Sequence, residues 1–303
     1  MAEKSQGAIY PDLEGKSVLV TGGGSGIGAA IVRAFVRQKA KVGFIDIAEA
    51  PSKALVAELG GEAAGPRFAK ADIRDIDALR AAIAALTGAI GAADVLINNA
   101  ANDERHATPD VTPEMFDERI AVNLRHSFFA AQAVLPGMQA KGGGAIVNFS
   151  SMSWIAGMGG MAIYTAAKSA MIGLTRSLAR DYGQYNIRVN AIAPGWVRTE
   201  RQLTKWLTPE GDKQRLEAQC LKRWVEPEDI AHFCVSWRPT TRRLARRNTM
   251  SWTPAGSDLA AIPSLQWMIL SLPDFRSDVA LRDYDRWPAP RRRPIARRSC
   301  TST

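Results

Sequence analysis

The chain has 303 residues and 46% apolar content, enough to bury the core of one large α/β domain. Its formal net charge of +9 is unevenly distributed, because residues 236–303 hold thirteen arginines, no lysine and five acidic residues. The rest of the chain carries only +1, and so a nucleic-acid partner is not expected. Three cysteines and three histidines, scattered along the chain, argue against a disulfide framework and against a metal site.

The N-terminal stretch is charged and lacks the apolar centre of a secretion signal. No run of about 18 uncharged apolar residues predicts a membrane span. An odd number of cysteines suits a reducing compartment. We therefore expect a cytoplasmic protein that binds neither a membrane nor nucleic acid.

The first predicted strand covers residues 16–21 and leads into a glycine loop and an apolar-periodic helix. Gly22, Gly26 and Gly28 follow Thr21 with the spacing T-G-x-x-x-G-x-G. A loop without Cβ atoms can bring a pyrophosphate against a helix N-terminus, where unpaired N–H groups and the helix dipole favour an anion. This strand–loop–helix order predicts a dinucleotide-binding site.

The second predicted strand, residues 41–46, ends in Asp46, 18 residues after Gly28. This spacing is close to that of the carboxylate that accepts hydrogen bonds from an adenosine ribose. A carboxylate there repels a 2′-phosphate, and neither Ser25 in the loop nor the residues directly after Asp46 supply a positive charge. The pattern favours NAD over NADP.

Further strands alternate with helices, which predicts a doubly wound parallel sheet of the Rossmann type. Ligands are then expected at the C-terminal ends of the strands. Asp72 after the third strand is expected to accept from an adenine amino group. The remaining predicted strands are residues 67–71, 94–97, 144–149 and 187–192, and the predicted helices are residues 78–86, 114–135 and 162–182.

Tyr164 and Lys168 are four residues apart on the last of these helices and share one face. A lysine ammonium beside a phenol favours the phenolate, which brings the phenol pKa closer to neutrality. Ser151, at the end of the strand at 144–149, is placed to hold a substrate oxygen against that phenol. The three residues predict acid/base chemistry on an alcohol or a carbonyl group.

These motifs resemble the short-chain dehydrogenase/reductase family, and their order and spacing agree from about residue 15 to residue 230. We accordingly assign residues 1–235 to one short-chain dehydrogenase domain. The matching positions are Thr21, Gly22, Gly26, Ile27, Gly28, Asn98, Asn99, Ala100, Asn123, Ser151, Tyr164, Lys168, Pro194 and Gly195.

The resemblance implies a role for each of four catalytic residues. Tyr164 would be the general acid/base, Ser151 would orient the substrate oxygen, and Lys168 would lower the phenol pKa and hold the nicotinamide ribose. Asn123 would support a proton-relay water. The cofactor-binding residues implied by the family are Thr21, Gly22, Ser25, Gly26, Ile27, Gly28, Asp46, Asp72, Ile73, Asn99, Ala100, Tyr164, Lys168, Pro194, Val197 and Thr199.

The substrate is expected to be a sugar, because aromatic residues and hydrogen-bonding groups occur together in the loops near the site. The stretches NDERH, RQLTKWLTPEGD and AQCLKRWVEPEDIA resemble bacterial aldose 1-dehydrogenases of this family, the D-xylose type especially. A keto-thioester, as for a 3-oxoacyl-thioester reductase, or a cyclic alcohol is the alternative. Candidate substrate residues are Asn102, Ser153, Trp154, Trp196 and Arg201, with Gln202 and Trp206 nearby.

Residues 236–303 depart from the family and form an Arg/Pro-rich tail. Reading back-translated SWRPTT one base out of frame yields FLASDD, and NTMSWTPAG similarly yields QHYVVDAGW, the family's own kind of ending. We interpret this as a frameshift near Val235; the rival interpretation is a genuine basic extension. The tail is expected to be irregular or disordered and to lack the last strand. The homotetramer that the family resemblance implies is then not expected, and the alternative to an active enzyme is an inactive remnant that lacks its last strand.

Overall fold

Parallel strands form one sheet in the computed structural model, which describes residues 7–219, 221–237 and 249–252. In the described part of the chain the sheet has seven strands in the order β3-β2-β1-β4-β5-β6-β7. All six neighbouring pairs are parallel. The strands are β1 Ser17–Thr21, β2 Lys41–Asp46, β3 Arg67–Lys70, β4 Val95–Asn98, β5 Gly144–Phe149, β6 Ile187–Pro194 and β7 Thr249–Trp252.

Helices cover both faces of this sheet, which confirms the doubly wound architecture. They are α1 Gly26–Arg37, α2 Glu49–Glu58, α3 Gly61–Ala64, α4 Ile76–Ile90, α5 Pro113–Ile120, α6 His126–Ala140, α7 Ala162–Tyr182, α8 Glu200–Lys205, α9 Pro209–Ala218 and α10 Pro227–Ser236. Short 3-10 turns cover Pro11–Leu13, Thr108–Asp110 and Gly183–Tyr185, and Ala121–Arg125 forms a π-helical turn.

The strands are buried on both faces because successive side chains point to opposite layers. Val18 and Val20 of β1 pack with α1 and α10, whereas Leu19 between them packs with α4 and α6. Each fully buried Leu, Ile or Val contributes about 1.5–3 kcal/mol of transfer free energy. Two such layers explain why the strands read in the sequence as short, nearly continuous apolar runs.

The strand order reverses next to β1, which lies between β2 and β4. In an open parallel sheet this reversal opens a crevice at the C-terminal strand ends, because the connecting chains leave in opposite directions. The glycine loop after β1 and Asn99 after β4 meet at this crevice, whereas Asn98 ends β4 and its side chain donates to Ser127 and Asn148 in the core. The fold thereby places the predicted cofactor motifs side by side.

The helix predicted over residues 114–135 is interrupted in the structure. The α5 helix ends at Ile120, a π-helical turn follows at Ala121–Arg125, and α6 continues from His126. The extra residue in a π turn leaves no trace in apolar periodicity, so the interruption was not predicted. The helices α2, α8 and α9 were also not predicted, because they bury little apolar surface and lack a clear 3.6-residue pattern.

A seventh strand corrects the expectation that the chain lacks one. Residues Thr249–Trp252 pair in parallel with β6, and Ala191 faces Thr249 in this register. The α10 helix also runs to Ser236, and Trp237 is buried in the core. The sheet therefore includes residues that we had assigned to the tail. The expectation of a disordered tail otherwise falls on residues 238–248 and 253–303, outside the described part.

Among the described residues, none of the helices combines the length and the apolar character that crossing a bilayer requires. Nor do the described His, Cys, Asp and Glu residues form a group of three or more that could hold a metal ion.

Candidate active site

The glycine loop lies where a side chain would not fit. Gly22 has φ +69°, and a Cβ built on it would lie 2.8 Å from Ala100 Cα. A Cβ on Gly28 would collide with the carbonyl oxygen of Gly22. Gly26 has φ +51°, a left-handed conformation that favours glycine. The loop therefore leads into the first turn of α1 with its backbone open for close approach.

The end of β4 is tied to this loop by hydrogen bonds. The Asn99 side-chain amide donates to the carbonyl oxygens of Thr21 and Gly22, at 3.1 and 2.9 Å. The Thr21 hydroxyl accepts from the backbone N–H groups of Asn99 and Ala100, both at 3.2 Å. Asn99 thus fixes the loop shape, as the sequence predicted for the asparagines after the fourth strand.

Asp46, at the end of β2, faces the glycine loop. Its carboxylate accepts from the backbone N–H of Gly24 and from that of Ala48, each at 2.8 Å. Both donors are uncharged, and no described cation forms a salt bridge with this carboxylate. Asp46 therefore lies beside the glycine loop, as expected of a residue that binds the adenosine ribose, and that role stays a prediction.

Asp72, just after β3, has a partner that was not predicted. The Arg74 guanidinium donates to both of its carboxylate oxygens, with Nη2 to Oδ2 at 2.6 Å and Nε to Oδ1 at 3.0 Å. These hydrogen bonds lower the pKa of Asp72 below its usual value. Ile73 beside it is buried. The Arg74 backbone N–H also donates to Oδ1 at 2.9 Å, and acceptance by Asp72 from an adenine amino group stays a prediction.

The catalytic candidates meet at the C-terminal end of β5. Ser151 follows this strand, and its hydroxyl is hydrogen-bonded to the Tyr164 side chain in the first turn of α7. Lys168, one turn later, is buried, and its Nζ lies 5.7 Å from the centre of the Tyr164 ring. The structure thus brings together the serine, tyrosine and lysine, although Ser151 and Tyr164 are separated by a loop.

The pKa values of the pair differ from what the sequence predicts. Burial around its hydroxyl raises the pKa of Tyr164 to about 12, partly offset by the hydrogen bond with Ser151. Burial lowers the pKa of Lys168 to about 7. The Lys168 Nζ donates to the carbonyl oxygen of Phe149 at 2.8 Å and not to the phenol. Within the chain alone, burial therefore dominates the phenol pKa, and its lowering by Lys168 stays a prediction.

Asn123 is fully buried in the π turn and holds the loop after β4. Its side-chain oxygen accepts from the Asn102 N–H at 2.9 Å, and its amide donates to the Asn102 and Arg119 carbonyls, each at 3.0 Å. The side chain thus positions the loop that borders the substrate side. Its expected support of a relay water stays a prediction.

A cavity of about 510 Å³ opens above Tyr164. Ile27, Pro194, Val197 and Thr199 line its cofactor side, and a hypothetical Cβ on Gly26 would lie 3.3 Å from the Thr199 methyl group. The substrate side is formed by segments distant in sequence. Its lining residues include Asp103, Arg105, Met152, Ser153, Met158, Met161, Trp196, Gln202 and Gln219.

The structure separates the five candidate substrate residues into two groups. Ser153 and Trp196 line the cavity, and Trp196 stacks on Trp224 with ring centres 6.5 Å apart. Asn102, Trp154 and Arg201 do not line it. The Trp154 indole donates to the Ser150 hydroxyl at 3.1 Å, and Arg201 Nε donates to Asp103 Oδ1 at 2.8 Å. Trp154 and Arg201 thus contact residues of the cavity wall without lining the cavity themselves.

Asp103 and the three methionines were not proposed as substrate residues, and Gln202 was named only as a residue near the site. Asp103 lies on the loop after β4 and Gln202 on α8, just beyond the loop after β6, but the two are joined, because Gln202 Nε2 donates to Asp103 Oδ2 at 2.5 Å. Nothing in their spacing along the chain indicates this pairing. The one available signal was that both loops follow C-terminal strand ends, where ligands bind in such sheets.

The comparison with family models decides what these motifs belong to. Residues 16–209 match the model described as short chain dehydrogenase. The chain belongs to the short-chain dehydrogenase/reductase family. Proteins of this family bind a nicotinamide dinucleotide, and the glycine loop, Asn99 and Asp46 form a cradle that fits one.

Two curated relatives carry names of sugar dehydrogenases. D-xylose 1-dehydrogenase of Caulobacter vibrioides is 50% identical over 224 residues, which cover 74% of this chain and 88% of the relative. "Probable galactose dehydrogenase" of Rhizobium meliloti is also 50% identical, over 227 residues, 75% of this chain and 89% of the relative. The chain is therefore an oxidoreductase of the short-chain type, related to sugar dehydrogenases.

Solved structures share the fold. A 7α-hydroxysteroid dehydrogenase in complex with NADH and a 7-oxo bile acid superimposes with a TM-score of 0.76 at 29% identity, covering 82% of this chain and 98% of that one. A short-chain dehydrogenase/reductase of Serratia marcescens gives 0.73 at 32% identity, covering 81% and 99%. The observed sheet order and the helices on both faces are therefore those of the family.

Proposed function

We propose that this protein oxidises an aldose at C1 to the lactone, with NAD as the acceptor. The observation that carries the reaction type is the hydrogen-bonded pair of Ser151 and Tyr164, with Lys168 one turn away, on the wall of a cavity of about 510 Å³. The substrate class is supported by the two 50% identical relatives named as sugar dehydrogenases.

The proposed roles follow from the chemistry of each group. Ser151 donates to the C1 oxygen of the cyclic sugar and holds it against the Tyr164 oxygen. The Tyr164 phenolate takes the hydroxyl proton while the C1–H bond breaks and the C1–O bond becomes a carbonyl. When bound, oxidised NAD accepts the two electrons and the hydrogen of that C1–H bond as a hydride. The products are the lactone, NADH and a proton.

Deprotonation of Tyr164 needs a positive charge nearby, because burial raises its pKa to about 12. An oxidised nicotinamide ring carries a positive charge, and a cation near a phenol favours the phenolate. Lys168, with a pKa of about 7, adds a partial charge at neutral pH. We propose that Lys168 also binds the nicotinamide ribose, as the family resemblance implies.

The proposed preference for NAD rests on Asp46. Its carboxylate is held by two backbone N–H groups beside the glycine loop. A ribose hydroxyl can donate to this carboxylate, whereas a 2′-phosphate would be repelled at a separation of a few ångströms. The other proposed contacts are those of the glycine loop, Asp72, Ile73, Asn99, Ala100, Pro194, Val197 and Thr199.

Three methionines favour a second candidate, the oxidation of a less polar secondary or cyclic alcohol. Met152, Met158 and Met161 line the cavity together. Methionine side chains adapt to apolar ligands of irregular shape. A sugar still fits this wall, because the C–H faces of a pyranose are apolar and its hydroxyls can turn towards Ser153 and Gln202.

A screen of cofactor reduction separates these candidates. The purified chain is mixed with NAD or NADP and with D-xylose, D-galactose, D-glucose, L-arabinose or cyclohexanol, and absorbance at the NADH band is followed. We expect the highest kcat/KM for a pentose or hexose with NAD. Faster turnover of cyclohexanol than of every sugar would contradict the proposal, and a preference for NADP would contradict its cofactor part.

A further inference from the structure

Two residues that line the cavity each hold a buried polar atom without a hydrogen-bond partner. Among the described residues that line the cavity, they are the Ser153 hydroxyl oxygen and the Gln202 side-chain oxygen Oε1. Ser153 is only 4% exposed. Buried polar atoms of native proteins nearly always have a hydrogen-bond partner. Two such atoms without partners, both in residues that line one cavity, point to a ligand that supplies the partners.

The orientation of the Gln202 amide follows from its neighbour. Gln202 Nε2 donates to Asp103 Oδ2 at 2.5 Å, while Arg201 Nε donates to Oδ1 of the same carboxylate at 2.8 Å. A carboxylate that serves as the acceptor for both can only receive the NH₂ side of the amide. Oε1 is therefore the atom of Gln202 that is left as an acceptor.

The backbone around both residues holds these atoms in place. The Gln202 N–H donates to the Thr199 hydroxyl at 3.3 Å, which caps the first turn of α8. The Ser153 N–H donates to the Ser151 hydroxyl at 3.1 Å, and the Ser153 carbonyl accepts from the Met158 N–H at 2.9 Å. Ser153 is thereby tied to the catalytic serine, and Gln202 to the loop that covers the site.

We propose that Gln202 and Ser153 recognise hydroxyl groups of the substrate away from the reacting carbon, with Gln202 Oε1 as an acceptor and the Ser153 hydroxyl as a donor. This inference rests on the proposed aldose oxidation and names the residues that select a polyhydroxylated ring. Asp103 acts through Gln202 as a positioning residue, because its carboxylate accepts from the Gln202 amide and from Arg201 and so fixes the direction of Oε1.

The chemistry predicts strong selection against substrates without these hydroxyls. When such a substrate binds, the two wall atoms stay buried and unpaired, which costs affinity in the transition state as well. A site built to bind hydroxyl groups discriminates against the analogue that lacks them much more than an apolar pocket does. Loss of one of these hydrogen bonds corresponds to roughly a 10- to 100-fold change in kcat/KM.

The test uses two substrates that undergo the same reaction. 2-Hydroxytetrahydropyran is the pyranose ring of a pentose with the C1 hydroxyl but no other hydroxyl, and its oxidation gives the corresponding lactone. The kcat/KM for D-xylose, or for the best aldose of the screen, is compared with that for 2-hydroxytetrahydropyran in the unmodified enzyme, Gln202→Met and Ser153→Ala. Gln184→Met, an exposed glutamine outside the cavity, is the matched control.

We expect each cavity variant to lose about 10- to 100-fold in kcat/KM for the aldose, mainly through KM, and less than about 3-fold for 2-hydroxytetrahydropyran. For Asp103→Asn we expect a loss in kcat/KM for the aldose that lies between that of the unmodified enzyme and that of the cavity variants. An asparagine at this position allows the Gln202 amide to turn around. Equal losses for both substrates in Gln202→Met and in Ser153→Ala would overturn this inference while leaving the aldose function standing. Turnover of 2-hydroxytetrahydropyran but of no aldose by the unmodified enzyme would overturn both.

Discussion

The cofactor side and the substrate side of the site are built in different ways. On the cofactor side, hydrogen bonds between Asn99, Thr21 and the Gly22 backbone join two motifs that can each be read from a few consecutive residues. On the substrate side, Asp103 meets Arg201 and Gln202 across 98 and 99 positions of the chain. The first side follows from local constraints on the backbone, whereas the second follows from side chains that meet only after folding.

The difference has an energetic counterpart. The cofactor side depends on glycines whose replacement would bring a Cβ into the backbone, as at Gly22 and Gly28. The substrate side depends on side-chain hydrogen bonds and ion pairs, several of them half-exposed, such as Arg201 with Glu104. Partly exposed pairs contribute little to stability, and so this side can change its specificity without unfolding the protein.

Tyr164→Phe should separate the two sides most clearly. We expect kcat to fall by about 10³-fold or more, because the proton acceptor is removed, while the Kd for NAD changes less than about 3-fold. Single-turnover kinetics and a fluorescence titration with NAD measure the two quantities. Tyr185→Phe, at an exposed tyrosine, is the matched control. Retention of more than a few per cent of kcat would show that Tyr164 is not the base.

Restoring the shifted reading frame after Val235 should have the next largest effect, on the edge of the sheet where β7 pairs with β6. The strand β7 lies at residues 249–252, within the stretch NTMSWTPAG whose shifted reading is QHYVVDAGW. Two consecutive valines favour a parallel strand more than Thr-Met-Ser-Trp does. We expect the frame-restored chain to unfold at a temperature several degrees higher than the 303-residue chain does. We also expect it to form a larger and more homogeneous oligomer.

Thermal unfolding and light scattering of both chains check this expectation, with a third chain ending after Trp237 as the reference for loss of β7. The frameshift interpretation predicts that the restored chain is the most soluble and the most active of the three. If the 303-residue chain were instead a soluble, active tetramer with its tail protected from proteolysis, the interpretation as a genuine extension would be correct.

Asp46→Ala should affect the cofactor side alone. Removal of the carboxylate ends the repulsion of a 2′-phosphate and removes an acceptor for the ribose, so the ratio of kcat/KM for NAD to that for NADP should fall by about 10- to 100-fold. Asp46→Asn is the matched variant without the charge. Steady-state kinetics with both cofactors measure the ratio, and a KM for the sugar that stays within about 2-fold is the expected control. An unchanged ratio in both variants would remove Asp46 from cofactor selection.

Lys168 lies where the two sides meet, and its burial predicts an effect of pH on stability. Its pKa is lowered from 10.5 to about 7, so between these values the unfolded chain holds a proton that the folded chain has released. The contribution of Lys168 to the free energy of unfolding therefore rises with pH, by no more than about 1.4 kcal/mol per pH unit.

Urea unfolding at pH 7 and pH 9 tests this effect. We expect the stability of the unmodified protein relative to Lys168→Met to increase between the two pH values, and the stability relative to Lys213→Met, at an exposed lysine, to stay constant. If the free energies of unfolding of the unmodified protein and Lys168→Met differed by the same amount at both pH values, Lys168 would not titrate in this range in the folded protein.

Much of the fold could be read from the sequence, for reasons that particular elements show. The strands β2 and β5 and the helix α7 have the predicted bounds, because each is a buried apolar segment between clear turn signals. The π turn at Ala121–Arg125 was not predicted, since one extra residue in a helix hardly disturbs its apolar face. The strand β7 was not predicted, because its short segment acquires its role only by pairing with β6.

The sequence by itself determined the chemistry of the site: the glycine loop, Asp46, Ser151, Tyr164 and Lys168 are each specified by residue type and by spacing within one local element. Only the tertiary structure decided the pKa values of Tyr164 and Lys168, because desolvation depends on everything packed around a group. It also decided that Arg201 supports Asp103 while Gln202 faces the cavity. Side chains of neighbouring residues on one helix turn point in different directions. Which of them faces the cavity depends on where the loop after β4 lies.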